Sequence, residues 1–156
     1  MGSNACLDVD GITGTSTDSG HAGQIDLLSY SFGSVQTGSF QYGGGSSTGE
    51  VKYNDMNFSK SVDASSTAFF AKCADGSKIS KAKLFVQRAG ADKSEKLTYT
   101  MYDIYITSVQ YNKSNPNDLN ATESVSLNFA KIETEYKPPE VFCPRIRIFI
   151  FKSGEA

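Results

Sequence analysis

Four apolar stretches of this chain change phase partway along, and that constrains the fold more than any other feature of the sequence. Ile25 and Leu27 are followed by Leu28, Tyr30 and Phe32; Val51 and Tyr53 by Met56, Phe58 and Val62. Leu97, Tyr99 and Met101 give way to Tyr102, Ile104 and Ile106, and Val125, Leu127 and Phe129 to Ile132 and Tyr136. Alternate residues of a strand point to opposite faces, so a one-residue shift moves the apolar set to the other face. One shift is a bulge or a bend. Four imply long strands shared between two sheets, as a small barrel needs, or outer faces buried against other subunits. Parity alone does not separate these readings. By contrast, the run from Lys81 to Arg88 alternates cleanly, with Ala82, Leu84 and Val86 inward and Lys81, Lys83 and Gln87 outward.

The other segments fit between these strands. Cys6, Leu7 and Val9 open a short strand that ends at the turn Asp10-Gly11, and a Thr/Ser/Gly-rich loop precedes a strand over about 21–33. Asp63 to Ser66 offers helix N-cap residues, Gly76 a C-cap. A helix over Ser66–Ala74 places Phe69, Phe70 and Cys73 on one side, and at two or three turns it must dock by that face to be stable. Between Gly33 and Glu50 the chain is rich in Gly and Ser, which composition reads as a surface linker. That linker is the default reading, and the aromatic residues Phe40 and Tyr42 within it leave a docking loop open as the alternative.

A chain of 156 residues supports one domain with a real core. A net charge of −2 argues against nucleic acid or an anionic membrane as the main partner. No apolar run approaches the ~20 residues of a membrane helix, and no secretory signal is visible at the N-terminus. The three cysteines, Cys6, Cys73 and Cys143, are widely spaced and form no metal-binding pair, and the chain has a single histidine. That histidine, His21, lies near Asp18 and Asp26, but no G-x-S-x-G elbow accompanies it. Sequence proximity does not make a triad, and a structural or surface role is the better reading. Asp8, Asp10 and Asp18 lack the spacing of a calcium loop. The glycines at 43–45 are not followed by Lys-Ser/Thr and a helix, so they are not a phosphate loop. The residues therefore describe a β domain with a docking helix and no catalytic, metal or cofactor constellation; a carbohydrate- or ligand-binding β module is the alternative to a purely structural role.

In order along the chain, Asp18-Ser19-Gly20-His21-x-Gly23-x-Ile25-Asp26-x-Leu28-Ser29-Tyr30-Ser31-Phe32-Gly33, Val62-Asp63-x-Ser65-Ser66, Ala82-Lys83-Leu84, Ala89-Gly90, Val125-x-Leu127-Asn128-Phe129-Ala130-Lys131 and Glu135-Tyr136 resemble the haemolysin-coregulated protein family, the tube protein of bacterial type VI secretion. The resemblance implies a mainly β, single-domain barrel of two antiparallel sheets with one short flanking helix over residues 1–138, followed by a C-terminal extension, 139–156. It further implies a homo-hexameric ring, stacked rings forming a tube within a sheath, contacts with sheath and tip proteins, and small effector proteins carried in the lumen. No enzymatic activity, cofactor or membrane insertion is implied. The protein is expected in the bacterial cytoplasm before firing and afterwards outside, exported without a cleaved signal peptide. Tyr30 and Phe32 stand where the family usually has Trp, and they should still pack. Val35, Gly38, Phe40, Tyr42, Gly43, Gly44 and Gly45 are the expected inter-subunit or inter-ring contact loop. Beyond Pro139, Val141 to Lys152 alternates like a strand but does not map onto the family pattern; it is an added edge strand, a packing segment or a tail, and exposed it is an aggregation hazard.

Overall fold

A computed structural model describes residues 4–18, 20–36, 51–87, 96–113, 115–117, 120–137 and 146–151. In chain order the elements are β1 (Asn4–Val9), β2 (Ile25–Leu27), β3 (Ser29–Ser31), β4 (Ser34–Gln36), β5 (Val51–Tyr53), β6 (Met56–Ser61), α1 (Ser66–Asp75), β7 (Ile79–Gln87), β8 (Lys96–Asn112), β9 (Thr122–Lys137) and β10 (Ile146–Phe151). Strands β2-β1-β7-β8-β9-β6-β3 pair in that order, every pair antiparallel, and β10 adds to β9 off this path. The mainly β barrel with one short helix is as expected. The division into sheets is more specific: one large sheet curls on itself, and β4 and β5 form a separate two-stranded sheet.

The four phase changes have two different causes. At Leu27/Leu28 the expected strand over 21–33 breaks into two. β2 pairs β1 at one edge of the sheet, and β3 pairs β6 at the opposite edge. Between them the Leu28 N–H donates to the Ser59 carbonyl at 2.8 Å. Consecutive residues thus hold the two edges together, and the parity shift is the seam of the barrel. Leu28, at the seam, is 62% exposed, whereas Tyr30 and Phe32 pack against the core, Phe32 edge-on to Tyr99 at 4.7 Å. The second shift is also a break, since Tyr53 ends β5 of the small sheet and Met56 begins β6 of the barrel.

The remaining two shifts lie inside unbroken strands and form a crease. Ile79, Ile104 and Phe129 are cross-strand partners buried on one side of it; Ala82, Met101 and Ile132 are partners buried on the other. Three neighbouring strands change phase in step, which lets one sheet turn a corner without losing register. Asp103 sits in the crease with φ +51, a left-handed backbone that few non-glycine residues adopt. The matching shift in β7 falls at Ile79, just before the clean alternation begins.

Helix α1 ends at Gly76, whose φ of +63 is the left-handed C-cap that glycine supplies without a Cβ penalty. Phe69 is fully buried and edge-on to Phe58, and Cys73, one turn on, packs partly against the core. Phe70 departs from the expected face: it is 56% exposed and lies 6.2 Å from the Tyr111 ring. At 100° per residue it is turned away from the Phe69–Cys73 line. Val62 departs as well. It follows the last residue of β6 and is exposed, while its N–H donates to the Ala121 carbonyl at 2.9 Å. The buried residue in that phase is Lys60.

Candidate functional site

The Lys60 ammonium lies within the barrel, 0% exposed, in phase with Met56 and Phe58. Its Cα partner across the sheet is Glu123, also 0% exposed and in phase with Val125 and Leu127. A charge in that position is costly unless paired and hydrogen-bonded. Lys60 Nζ is 2.6 Å from Glu123 Oε1 and 2.6 Å from Asp63 Oδ1, and it also donates to the Ser61 carbonyl at 3.1 Å and Ser66 Oγ at 3.3 Å. Ser66 Oγ donates to Glu123 Oε1 at 3.0 Å and accepts the Asp63 N–H at 3.0 Å. The second carboxylate oxygen, Glu123 Oε2, is buried with no hydrogen-bond partner among the described residues.

The start of α1 is tied to this cluster. Ser65 is the N-cap but does not cap through its side chain; its N–H and hydroxyl both donate to Asp63 Oδ1, at 2.9 and 2.5 Å. Burial pushes the Asp63 carboxyl pKa up, but hydrogen bonds from Lys60 and Ser65 and the Lys60 charge outweigh it, and the net shift is downward. The Tyr111 hydroxyl donates to the Ser66 carbonyl at 3.2 Å, joining the far end of β8 to the helix. The cluster holds strand register and helix docking together. Sequence reading missed it because Lys60 and Glu123 look like solvated charges; the available signal was that each continues the inward phase of its strand.

The other candidates resolve as structural. His21 is buried against Phe85, ring centroids 5.1 Å apart, and its Nδ1 lies 2.8 Å from Gln24 Oε1. This arrangement orients the ring within the loop that precedes β2. Cys6 is buried and its thiol donates to Asp26 Oδ1 at 3.4 Å; burial and that neighbouring carboxylate push its pKa up to about 12. So high a pKa suppresses the reactive thiolate. Among the described residues, no group of three His, Cys, Asp or Glu is placed to hold a metal ion, and no helix is long and apolar enough to cross a membrane. Two depressions on the outer sheet surface, of about 240 and 200 Å³, are walled by Asp8, Lys81, Lys83, Tyr102 and Glu133. Both are smaller and more polar than sites that enclose small organic ligands.

Of the expected contact loop, Val35 lies in β4, paired with Lys52 and half exposed. Gly38, Phe40, Tyr42, Gly43, Gly44 and Gly45 lie outside the described residues. β4 and β5 form the base from which 37–50 departs. Apolar side chains stand exposed at Leu28, Val51, Phe70, Tyr105 and Tyr111.

Comparison with known proteins places this architecture. Residues 6–136 match the family model described as type VI secretion system effector, Hcp. The chain is 34% identical over 133 residues to protein hcp1 of Pseudomonas aeruginosa, covering 85% of this chain and 82% of that protein. Among solved structures it is similar to Hcp1 from Salmonella typhimurium, with a TM-score of 0.73 at 29% identity over 87% of each chain. A type VI secretion system effector from Yersinia pestis shares the fold, with a TM-score of 0.74 at 20% identity over 94% of this chain and 99% of that one. The chain belongs to the Hcp family, secreted tube proteins of the type VI secretion system.

Proposed function

We propose that this chain is the repeating subunit of the secretion system's inner tube, six copies closing head to tail into a ring and rings stacking into the tube. The carrying observation is the set of apolar side chains left outside a barrel whose edges are already joined at the Leu28 seam. With those edges joined, a neighbour is met through faces and loops, apart from the stretch of β9 that the barrel path leaves to β10. A head-to-tail ring uses two different surfaces per subunit, and the exposed apolar residues come from different elements: Leu28 at the seam, Val51 in β5, Phe70 on α1 beside Tyr111 of β8, and Tyr105 further along β8. The role is structural and non-enzymatic. Sheath and tip proteins contact the tube, and small effectors travel in its lumen. The protein resides in the cytoplasm until firing and is then exported through the secretion machine.

In this reading the segment containing Val35, Gly38, Phe40, Tyr42, Gly43, Gly44 and Gly45 makes an inter-subunit or inter-ring contact. Its springing from a sheet separate from the barrel supports this, since the loop can be altered without disturbing barrel pairing. Native mass spectrometry and negative-stain imaging test the ring: hexamers and annular particles are expected, and a strict monomer at every concentration overturns the reading. Deleting residues 38–47 is expected to weaken stacking or ring closure while leaving the monomer's circular dichroism unchanged. Unaltered assembly would return the segment to a linker.

A further inference from the structure

β9 is longer than its barrel requires. β8 pairs it from Thr122 to Lys137, but on its other edge β6 covers only Thr122–Leu127. The rest of that edge, Lys131 to Tyr136, is taken by β10, which lies off the path that closes the barrel. The acceptor edge thus belongs to the barrel, while its occupant can leave without breaking any other strand pair. An open edge of this length is a ready template for another strand.

We propose that Lys131–Tyr136 is a strand-acceptor site and that, in the assembled ring, its occupant is the Ile146–Phe151 strand of the neighbouring copy. The inference rests on the ring reading above. The register gives the site its specificity: Arg147 stands opposite Glu135, Ile148 opposite Thr134, and Ile150 opposite the buried Ile132. Exchange between identical copies reproduces each of these pairs, so the choice of donor falls to the connection. That connection, residues 138–145, contains Pro138, Pro139 and Pro144. Proline fixes φ, removes an amide donor and drives the preceding residue to extended backbone. Hairpin loops commonly need only two to five residues. Eight residues exceed the length a turn requires; an extended chain of that length spans at most roughly 25 Å at ~3.1 Å per residue. The ring holds neighbours at high effective concentration, which favours exchange within it over free association.

The test uses disulfide trapping in the full-length chain with Cys73 and Cys143 replaced by Ala. Thr134→Cys and Ile148→Cys are cross-strand partners, within the Cα separation a disulfide spans. In the double variant, oxidised after assembly, a ladder of covalent multimers on non-reducing gels is expected. Two chains, one carrying Thr134→Cys and the other Ile148→Cys, each otherwise retaining only the buried Cys6, are co-assembled as a second measurement. A 134–148 disulfide between them arises only by exchange. Rings in which the double variant links solely within one chain, with no linkage between the single variants, overturn the exchange and leave the ring reading intact. Covalent dimers without rings by native mass spectrometry support the exchange and sink the ring. Monomers with internal links and no rings overturn both.

Discussion

The two sides of the crease solve the same packing problem differently. On the side of Ala82, Met101 and Ile132 the interior is apolar, filled by Leu7, Val9 and Leu84 from neighbouring strands. On the side of Ile79, Ile104 and Phe129 the apolar layer ends at Lys60 and Glu123, fully buried and joined to the first turn of α1. β9 runs through both, with Ile132 in one layer and Glu123 in the other. An apolar layer is non-directional and tolerates small slips. A buried ion pair with fixed partners does not: moving β6 one residue against β9 separates Lys60 from Glu123 and leaves the buried Glu123 carboxylate without its cation. The first region supplies cohesion and the second supplies register, at the place where a short helix must find its seat.

The largest expected effect follows from removing one charge. Lys60→Met leaves Glu123 buried and unpaired, and unfolding titrations should show a loss of about 3–5 kcal/mol. Adding Glu123→Leu should recover most of it, because two apolar side chains fit the layer that Phe58 and Val125 already form; Glu123 Oε2 has no partner to lose. If the double variant stays as unstable as the single, the cluster contributes more than mutual neutralisation, and the two regions differ in kind. The two phenylalanines of α1 sharpen the comparison next. Phe69→Ala should cost about 3–5 kcal/mol as a core truncation, whereas Phe70→Ala should change monomer stability by about 0.5 kcal/mol or less. Any effect of Phe70→Ala on ring assembly by native mass spectrometry then reports a contact outside the monomer.

Much of this was legible in the residues. The clean alternation of Ala82 and Leu84, the helix with its Gly76 cap, and the existence of all four phase changes appear in the fold as the sequence implies. Their meaning was not legible. A break between strands at Leu28 and a fold within strands at Asp103 give the same one-residue shift, because parity records which face is buried and not which strand lies alongside. Only the pairing of β2 with β1 and of β3 with β6 separates them. Residue type places Phe70 inward with Phe69 and Cys73, but the seat admits only the Phe69–Cys73 line. Lys60 and Glu123 were invisible for the opposite reason: residue type outweighed phase.

Acid should loosen the charged region before the apolar one. The native pKa of Asp63 lies below its ordinary value of 3.8. A depressed carboxylate contributes stability that is fully present above the unfolded value and is lost as pH falls through the native one. Hydrogen-exchange protection at the start of α1, taken relative to the intrinsic exchange rate at each pH, is therefore expected to fall below about pH 4, ahead of β1 and β7. Asp63→Asn should remove that pH dependence, and it should lower stability at neutral pH, where the wild-type ion pair is intact. Simultaneous loss of protection in both regions would mean that the helix seat and the apolar layer open as one unit.

The smallest expected effect concerns the crease that divides the two regions. Asp103 holds φ +51 within a seventeen-residue strand, its carboxylate 3.0 Å from Lys78 Nζ at the surface. A non-glycine residue in the left-handed region stores strain on the order of 1–3 kcal/mol, less for Asp, which tolerates that region better than most. Glycine removes the strain but adds freedom to the unfolded chain worth about 0.5–1 kcal/mol. Asp103→Gly should therefore be near neutral, stabilising by at most about 1 kcal/mol, while Asp103→Val, β-branched and ill-suited to positive φ, should be destabilising by about 1–2 kcal/mol. The ordering Gly ≥ Asp > Val in chemical denaturation tests whether the corner is a backbone device. Were Val as stable as Asp, the corner would be set by the packing of Ile79, Ile104 and Phe129 against Ala82, Met101 and Ile132, and the left-handed residue would be its consequence.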